Sequence, residues 1–187
     1  MSPLLIVLGI VVILVIYTIS LYNGLVTLRN MAKAAWKQVD VQLKRRYDLI
    51  PNLVEAVKGS MSYEQETLTK VISARNAAYS ATTPAQVSKA EGELGGALSR
   101  LMAVMEAYPN LKAEDNVAQL MEELSTTENQ VAFTRQYYND TVMRYNTKIQ
   151  VFPSNIFAGM FNFTQEEYFE ITNAAEREAP KVNLSLK

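Results

Sequence analysis

Polar residues are nearly missing from the first stretch of the chain. From Pro3 to Leu21 the sequence PLLIVLGIVVILVIYTISL carries no charge, and only Tyr17, Thr18 and Ser20 break its apolar character. At about 1.5 Å of rise per residue this run spans about 28 Å as an α-helix, close to the hydrocarbon thickness of a bilayer. It predicts a membrane-spanning anchor. A cleaved signal peptide, the rival reading, wants a basic start, a shorter apolar core and a small-x-small cleavage site, and none is visible.

Beyond the anchor the pattern changes from apolar throughout to apolar at intervals of three and four. Leu25, Leu28, Ala32, Ala35 and Val39 are followed by Ile50, Leu53, Val57, Met61, Leu68 and Val71. This spacing predicts an amphipathic helix, and no sustained alternation argues for strands. Pro51 interrupts the run, yet RRYDLIPNLV lacks the Gly and Asn-Gly signals of a tight reversal. One long helix over about residues 24–81, kinked at Pro51, is the favoured reading. About 58 residues of helix would be roughly 87 Å long. The alternative is a turn near Asp48, with that residue as N-cap and Pro51 in the first turn of a new helix.

Ala81-Thr82-Thr83-Pro84 stops the first pattern and starts a second, with Val87, Ala90, Leu94, Leu98, Leu101 and Met105 on one stripe ending at Tyr108-Pro109-Asn110. Gly92, Gly95 and Gly96 lie inside it, each at a cost of about 1 kcal/mol against Ala, and so predict close helix contact or, alternatively, a ligand pocket. A third long helix is expected from about Glu114 to Val151, with Val117, Met121, Leu124, Val131, Tyr138, Val142, Tyr145 and Ile149 at heptad-like steps. Its tyrosines read as core aromatics, with a stacking platform for bases or ligands as the alternative. The fold expected is all-α, a transmembrane helix followed by an antiparallel bundle of long helices. Three parts follow: the anchor at 1–22, the bundle at 23–152, and an aromatic-rich segment with a C-terminal tail at 153–187.

Charge and composition narrow the function. The 18 Lys plus Arg nearly cancel the 19 Asp plus Glu, so nucleic acid is not an expected partner. The absence of Cys and His removes thiolate and imidazole metal sites, Cys nucleophiles and Ser-His-Asp triads. Neither a catalytic residue, a metal site nor a cofactor is assigned. Glu122, Glu123 and Glu128 could in principle hold a metal or move protons, but without His partners they read as a solvated acidic face. Arg29, Lys33, Lys37, Lys44, Arg45 and Arg46 follow the anchor, against Met1 and Ser2 before it. The positive-inside rule then puts the C-terminal domain in the cytoplasm, with a periplasmic or extracellular domain as the alternative.

Two candidate interaction regions stand out. Lys44-Arg45-Arg46 could set bundle register by pairing with Glu128 and Asp140, meet a partner or anionic lipid, or simply be solvated. The segment from Phe152 to Phe163 is rich in aromatics yet broken by Pro153 and Gly159. Phe152, Phe157, Phe161 and Phe163 either cap the open end of the core or present an interface to a subunit, a partner or the bilayer surface. The tail EREAPKVNLSLK reads as a short extended addition to a neighbour.

The densest feature is the run DVQLKRRYDLIPNLV from Asp40 to Val54. It is accompanied by Tyr22-Asn23, Leu25-Val26, Leu28-Arg29, Ala35-Trp36, Val57-Lys58-Gly59 and Ala74-Arg75, then Glu128-Asn129, Phe133, Arg135-Gln136, Tyr138-Asn139-Asp140, Tyr145-Asn146 and Phe152-Pro153. Here the chain resembles the LemA family of bacterial membrane proteins. The resemblance implies a membrane helix followed by a helical bundle, without an established catalytic activity. The expectation for function is a non-enzymatic, membrane-anchored scaffold that self-associates and organises other membrane proteins. The alternative is an adaptor or regulator of one membrane partner, such as a protease or a sensor. The partners expected are the lipid bilayer, further copies of the chain and a membrane protein, in the bacterial plasma membrane as a single-pass protein.

Overall fold

The computed structural model describes residues 3–61, 63–112 and 114–170. Every regular element among them is a helix: α1 Pro3–Lys58, α2 Gln65–Ser80, α3 Pro84–Met105, α4 Pro109–Lys112, α5 Asp115–Gln150 and α6 Ser154–Met160. The tail reading at 176–187 lies outside the described residues. The described residues divide into two compact units, one made of those up to 42 together with 131–168 and the other of those from 43 to 130 together with 169–170.

The anchor and the first amphipathic run are one helix. Up to Ser20 its apolar side chains are exposed on every side, Leu4 at 77 % and Ile13 at 67 %. The helix is long and apolar enough to cross a membrane. Thr18 settles its hydroxyl internally, donating to the Leu14 carbonyl at 2.8 Å, which suits a residue facing hydrocarbon. From Leu21 onward burial narrows to one stripe, Leu21, Leu25, Ala32, Ala35 and Val39 in the first unit.

In the first unit α5 runs antiparallel to α1. Trp36 meets Tyr138 with ring centroids 5.1 Å apart, and Leu25 shares a cluster with Tyr145, Ile149, Ala158 and Phe163. The expected α5 stripe is buried at Val131, Tyr138, Val142, Tyr145 and Ile149. The tyrosines are thus core aromatics. Thr134 and Thr141 are also buried, and each donates its hydroxyl to a carbonyl of its own helix. After a cis Phe152-Pro153 bond the short α6 forms, and Asn162 leaves it at a φ of 55°, a left-handed conformation that Asn tolerates.

The second unit corrects the reading of one helix over residues 24–81. Pro51 lies within α1, and the chain reverses instead at Gly59–Glu64. The antiparallel pairing is visible in Tyr47 against Tyr79, with centroids 6.2 Å apart, and in Arg75 against Tyr47 and Asp48. Gly59-Ser60 is the punctuation that Met61 and Leu68, spaced to follow the earlier stripe, conceal. The expected stripe of α3 is buried at all six positions from Val87 to Met105. Its start is a capping box, in which the Gln86 N–H donates to the Thr83 hydroxyl and the Gln86 side chain accepts from the Thr83 N–H. The close contact expected at Gly95 and Gly96 is not found, since a Cβ at either would meet nothing within 4 Å.

Candidate functional site

Three groups of side chains emerge from these helices, two in the second unit and one in the first. The first is centred on Arg46. Lys44 and Arg45 are exposed, whereas Arg46 is buried on the inner side of α1. Its guanidinium donates to Glu91 on α3 at 2.8 Å, with both side chains less than a tenth exposed, and lies 3.9 Å from the exposed Glu128. Burial raises the pKa of the Glu91 carboxyl, and the charge of Arg46 and hydrogen bonding by Tyr47 and Arg46 oppose that rise. Of the acidic residues expected for the basic triplet, Glu128 is thus a distant second to Glu91, which the heptad pattern does not single out. Asp140 is exposed in the first unit.

The second group explains how Pro51 is tolerated. A proline has no N–H, so the carbonyl four residues earlier, that of Tyr47, loses its helical donor. Arg75 on α2 supplies the replacement, with its Nε donating to the Tyr47 carbonyl at 3.0 Å. The same guanidinium is 3.7 Å from Asp48 and lies 5.0 Å from the centre of the Tyr79 ring. Below this contact, α1 and α2 leave an open groove of about 450 Å³ lined by Pro51, Val54, Leu68 and Ile72, with Glu55 and Lys58 among its polar neighbours.

The third group holds the chain after α6. Residues 164–167 run extended along α5, gripped by three uncharged side chains. Tyr145 donates its hydroxyl to the Thr164 carbonyl at 2.8 Å, and Tyr138 to the Glu167 carbonyl at 2.7 Å. Asn146 both donates to the Glu166 carbonyl at 2.9 Å and accepts from its N–H at 3.0 Å, acting as a strand edge would. Burial, with Glu166 and Glu167 nearby, pushes the Tyr138 hydroxyl up to about 12. Of the aromatic candidates, Phe163 is buried, Phe157 half-buried, Phe161 exposed and Phe152 the most open at 79 %. The segment therefore both caps a core and presents apolar surface.

Among the described residues no cluster of three acidic side chains could hold a metal ion. Glu122 and Glu128 point to solvent and Glu123 is half-buried.

A family model described as the LemA family matches residues 35–184. The chain is 29 % identical over 175 residues to the magnetosome protein MamQ 2 of Paramagnetospirillum magneticum, an alignment covering 80 % of this chain and 64 % of that protein. Against the magnetosome protein MamQ of Magnetospirillum gryphiswaldense it is 26 % identical over 174 residues, covering 79 % and 64 %. Against the protein LemA of Metamycoplasma hominis it is 27 % identical over 167 residues, covering 87 % and 74 %. The chain thus spans 64 % of the length of the MamQ relatives. The match takes in the Asp40–Val54 run, the Arg75 that completes the helix around Pro51, and the Asn146 clamp, and the chain belongs to the LemA family.

Proposed function

We propose that this protein is a non-enzymatic, membrane-anchored helical scaffold that self-associates and organises other membrane proteins. The observation that carries this reading is α1. One helix is apolar and exposed all round over its first turns, then one-sided and packed over the rest of its course in the first unit. Lipid is the fitting environment for the former and protein for the latter. The lack of His and Cys throughout the chain supports a non-catalytic role. Val41, Phe133 and Met143 are half or more exposed outside the span and offer apolar contacts to further copies, whose effective concentration membrane tethering raises.

The basic residues that follow the span, Arg29, Lys33 and Lys37, favour a folded part on the cytoplasmic side of a bacterial plasma membrane. The MamQ relatives are named as magnetosome proteins, which supports a membrane-associated role. A second reading, an adaptor for one membrane protease or sensor, draws on the exposed Phe152 and Phe161.

Light scattering coupled to chromatography in mild detergent separates the two. The full chain is expected as a defined assembly of several copies, and a chain beginning at Asn23 as a smaller species. Monomers for both would overturn self-association and turn the question to capture of a single partner.

A further inference from the structure

We propose that α6 and the turns flanking it lie in the headgroup region of the bilayer, as a second membrane contact beside the anchor. This rests on α1 spanning the membrane, and everything it uses belongs to the first unit.

Charge is the first argument. After the span no charged residue occurs on α1 before Arg29, and α5 returns toward that end, bringing Tyr145 and Ile149 to Leu25. From Ile149 to Gln165 the chain again carries no charge, between Lys148 and Glu166. Two segments far apart in sequence thus make one uncharged end, next to the span. A surface facing water has no need to exclude charge over such a length, whereas a charge pressed below the headgroups toward the acyl chains is costly.

Position is the second argument. Tyr22 is the residue after the span, and its ring packs edge-on against Phe161 and Phe163, with centroids 4.9 Å and 5.8 Å away. Tyr is favoured at the level where hydrocarbon gives way to headgroups. Phe161 therefore lies at that level too. Further from the span, Arg29 packs over the other side of this cluster, its guanidinium 5.0 Å from the centre of the Phe163 ring.

Amphipathicity is the third. α6 turns Ser154 and Ala158 inward, the latter into the cluster with Leu25. It leaves Ile156 and Met160 outward at 53 % and 69 % exposure, and Phe152, in the turn before the helix, is exposed as well. An apolar edge at four-residue spacing, with neutral Asn155 beside it, is suited to lying in an interface plane. The occupant that fits is lipid, because the neighbouring span already requires a bilayer at this height.

The chain has no cysteine, so a single introduced thiol can carry an environment-sensitive fluorophore without competition. Ile156→Cys, Met160→Cys, Ile13→Cys and Gln38→Cys variants of the full chain would be labelled and reconstituted in phosphatidylcholine vesicles. Quenching by lipids with a doxyl group near the headgroup would be compared with quenching by lipids with it near the chain end. The expected result is stronger quenching of the Ile156 and Met160 positions by the shallow group, the reverse at Ile13, and none at Gln38, which lies on α1 about 25 Å beyond the span. Quenching at Ile13 with none at Ile156 or Met160 would overturn this inference and leave the anchor standing. Self-quenching between copies at Ile156, without lipid quenching, would overturn it in favour of a second copy on this face. No quenching at Ile13 would remove the anchor and the inference with it.

Discussion

The two units are fastened by different chemistry. In the second, charged groups reach across from one helix to the next: Arg46 to Glu91, and Arg75 to the carbonyl that Pro51 leaves open. In the first, the strap over residues 164–167 is held by Tyr138, Tyr145 and Asn146, which are uncharged at neutral pH. Arg29, stacked on Phe163, brings a charged group to that packing. Buried charges attract strongly but must be paired, and each depends on the protonation of its partner. Neutral donors on a backbone make weaker contacts that ignore pH over the neutral range. The strap beside α5 is held by contacts of the second kind.

The comparison is broken most directly at Arg46. Arg46→Ala would leave Glu91 buried without its nearest cation, and removal of one partner of such a pair costs about 3–5 kcal/mol. Thermal unfolding in detergent should show that loss at neutral pH. Because burial already raises the Glu91 pKa, the folded form binds this proton more readily than the unfolded one, so stability contributed by this group falls as pH rises through the folded pKa. The Arg46→Ala penalty should therefore shrink on mild acidification. A penalty that stays constant with pH would mean that packing rather than charge is what Arg46 supplies.

Next in size is the link between Pro51 and Arg75. Arg75→Leu should cost about 1–3 kcal/mol, since the Tyr47 carbonyl loses its donor. In a Pro51→Ala background the helix regains its own N–H at that position, and the same Arg75→Leu change should cost clearly less. A double-mutant cycle reads this coupling, and additive losses would break the account.

The first unit supplies the smallest effect. Asn146→Ala removes both hydrogen bonds to Glu166, a residue that water can partly reach, at about 1–2 kcal/mol. Hydrogen exchange should accelerate at Glu166, and the loss should be the same at mildly acidic and neutral pH. A marked pH dependence there would erase the distinction between the units.

How much of this was legible depended on distance along the chain. The α3 stripe from Val87 to Met105 and the apolar span to Leu21 are local repeats, and both are placed as their spacing implies. Gly59-Ser60 carried a turn signal, but Met61 and Leu68 kept the helical phase across it and hid the reversal. Arg46 was singled out as one of three basic residues, and no pattern distinguished it from Lys44 and Arg45. Its buried partner Glu91 lies 45 residues away. The aromatic segment was visible as a break in the helical pattern, while its division into a buried Phe163 and an exposed Phe152 was not.

By itself the sequence determined the broad pattern: an uncharged apolar stretch from Pro3 to Leu21, amphipathic helical spacing after it, a restart at Ala81-Pro84, and the lack of His and Cys. These follow from side chains within a turn or two of each other, or from composition alone. Only the tertiary structure decided which Arg is buried, which carboxylate meets it, what replaces the N–H that Pro51 lacks, and how Asn146 grips an extended backbone. Each of those contacts joins positions 20 or more residues apart, and no local spacing encodes them. Packing brings the partners together, and the cost of leaving a buried polar group unpaired then selects among them.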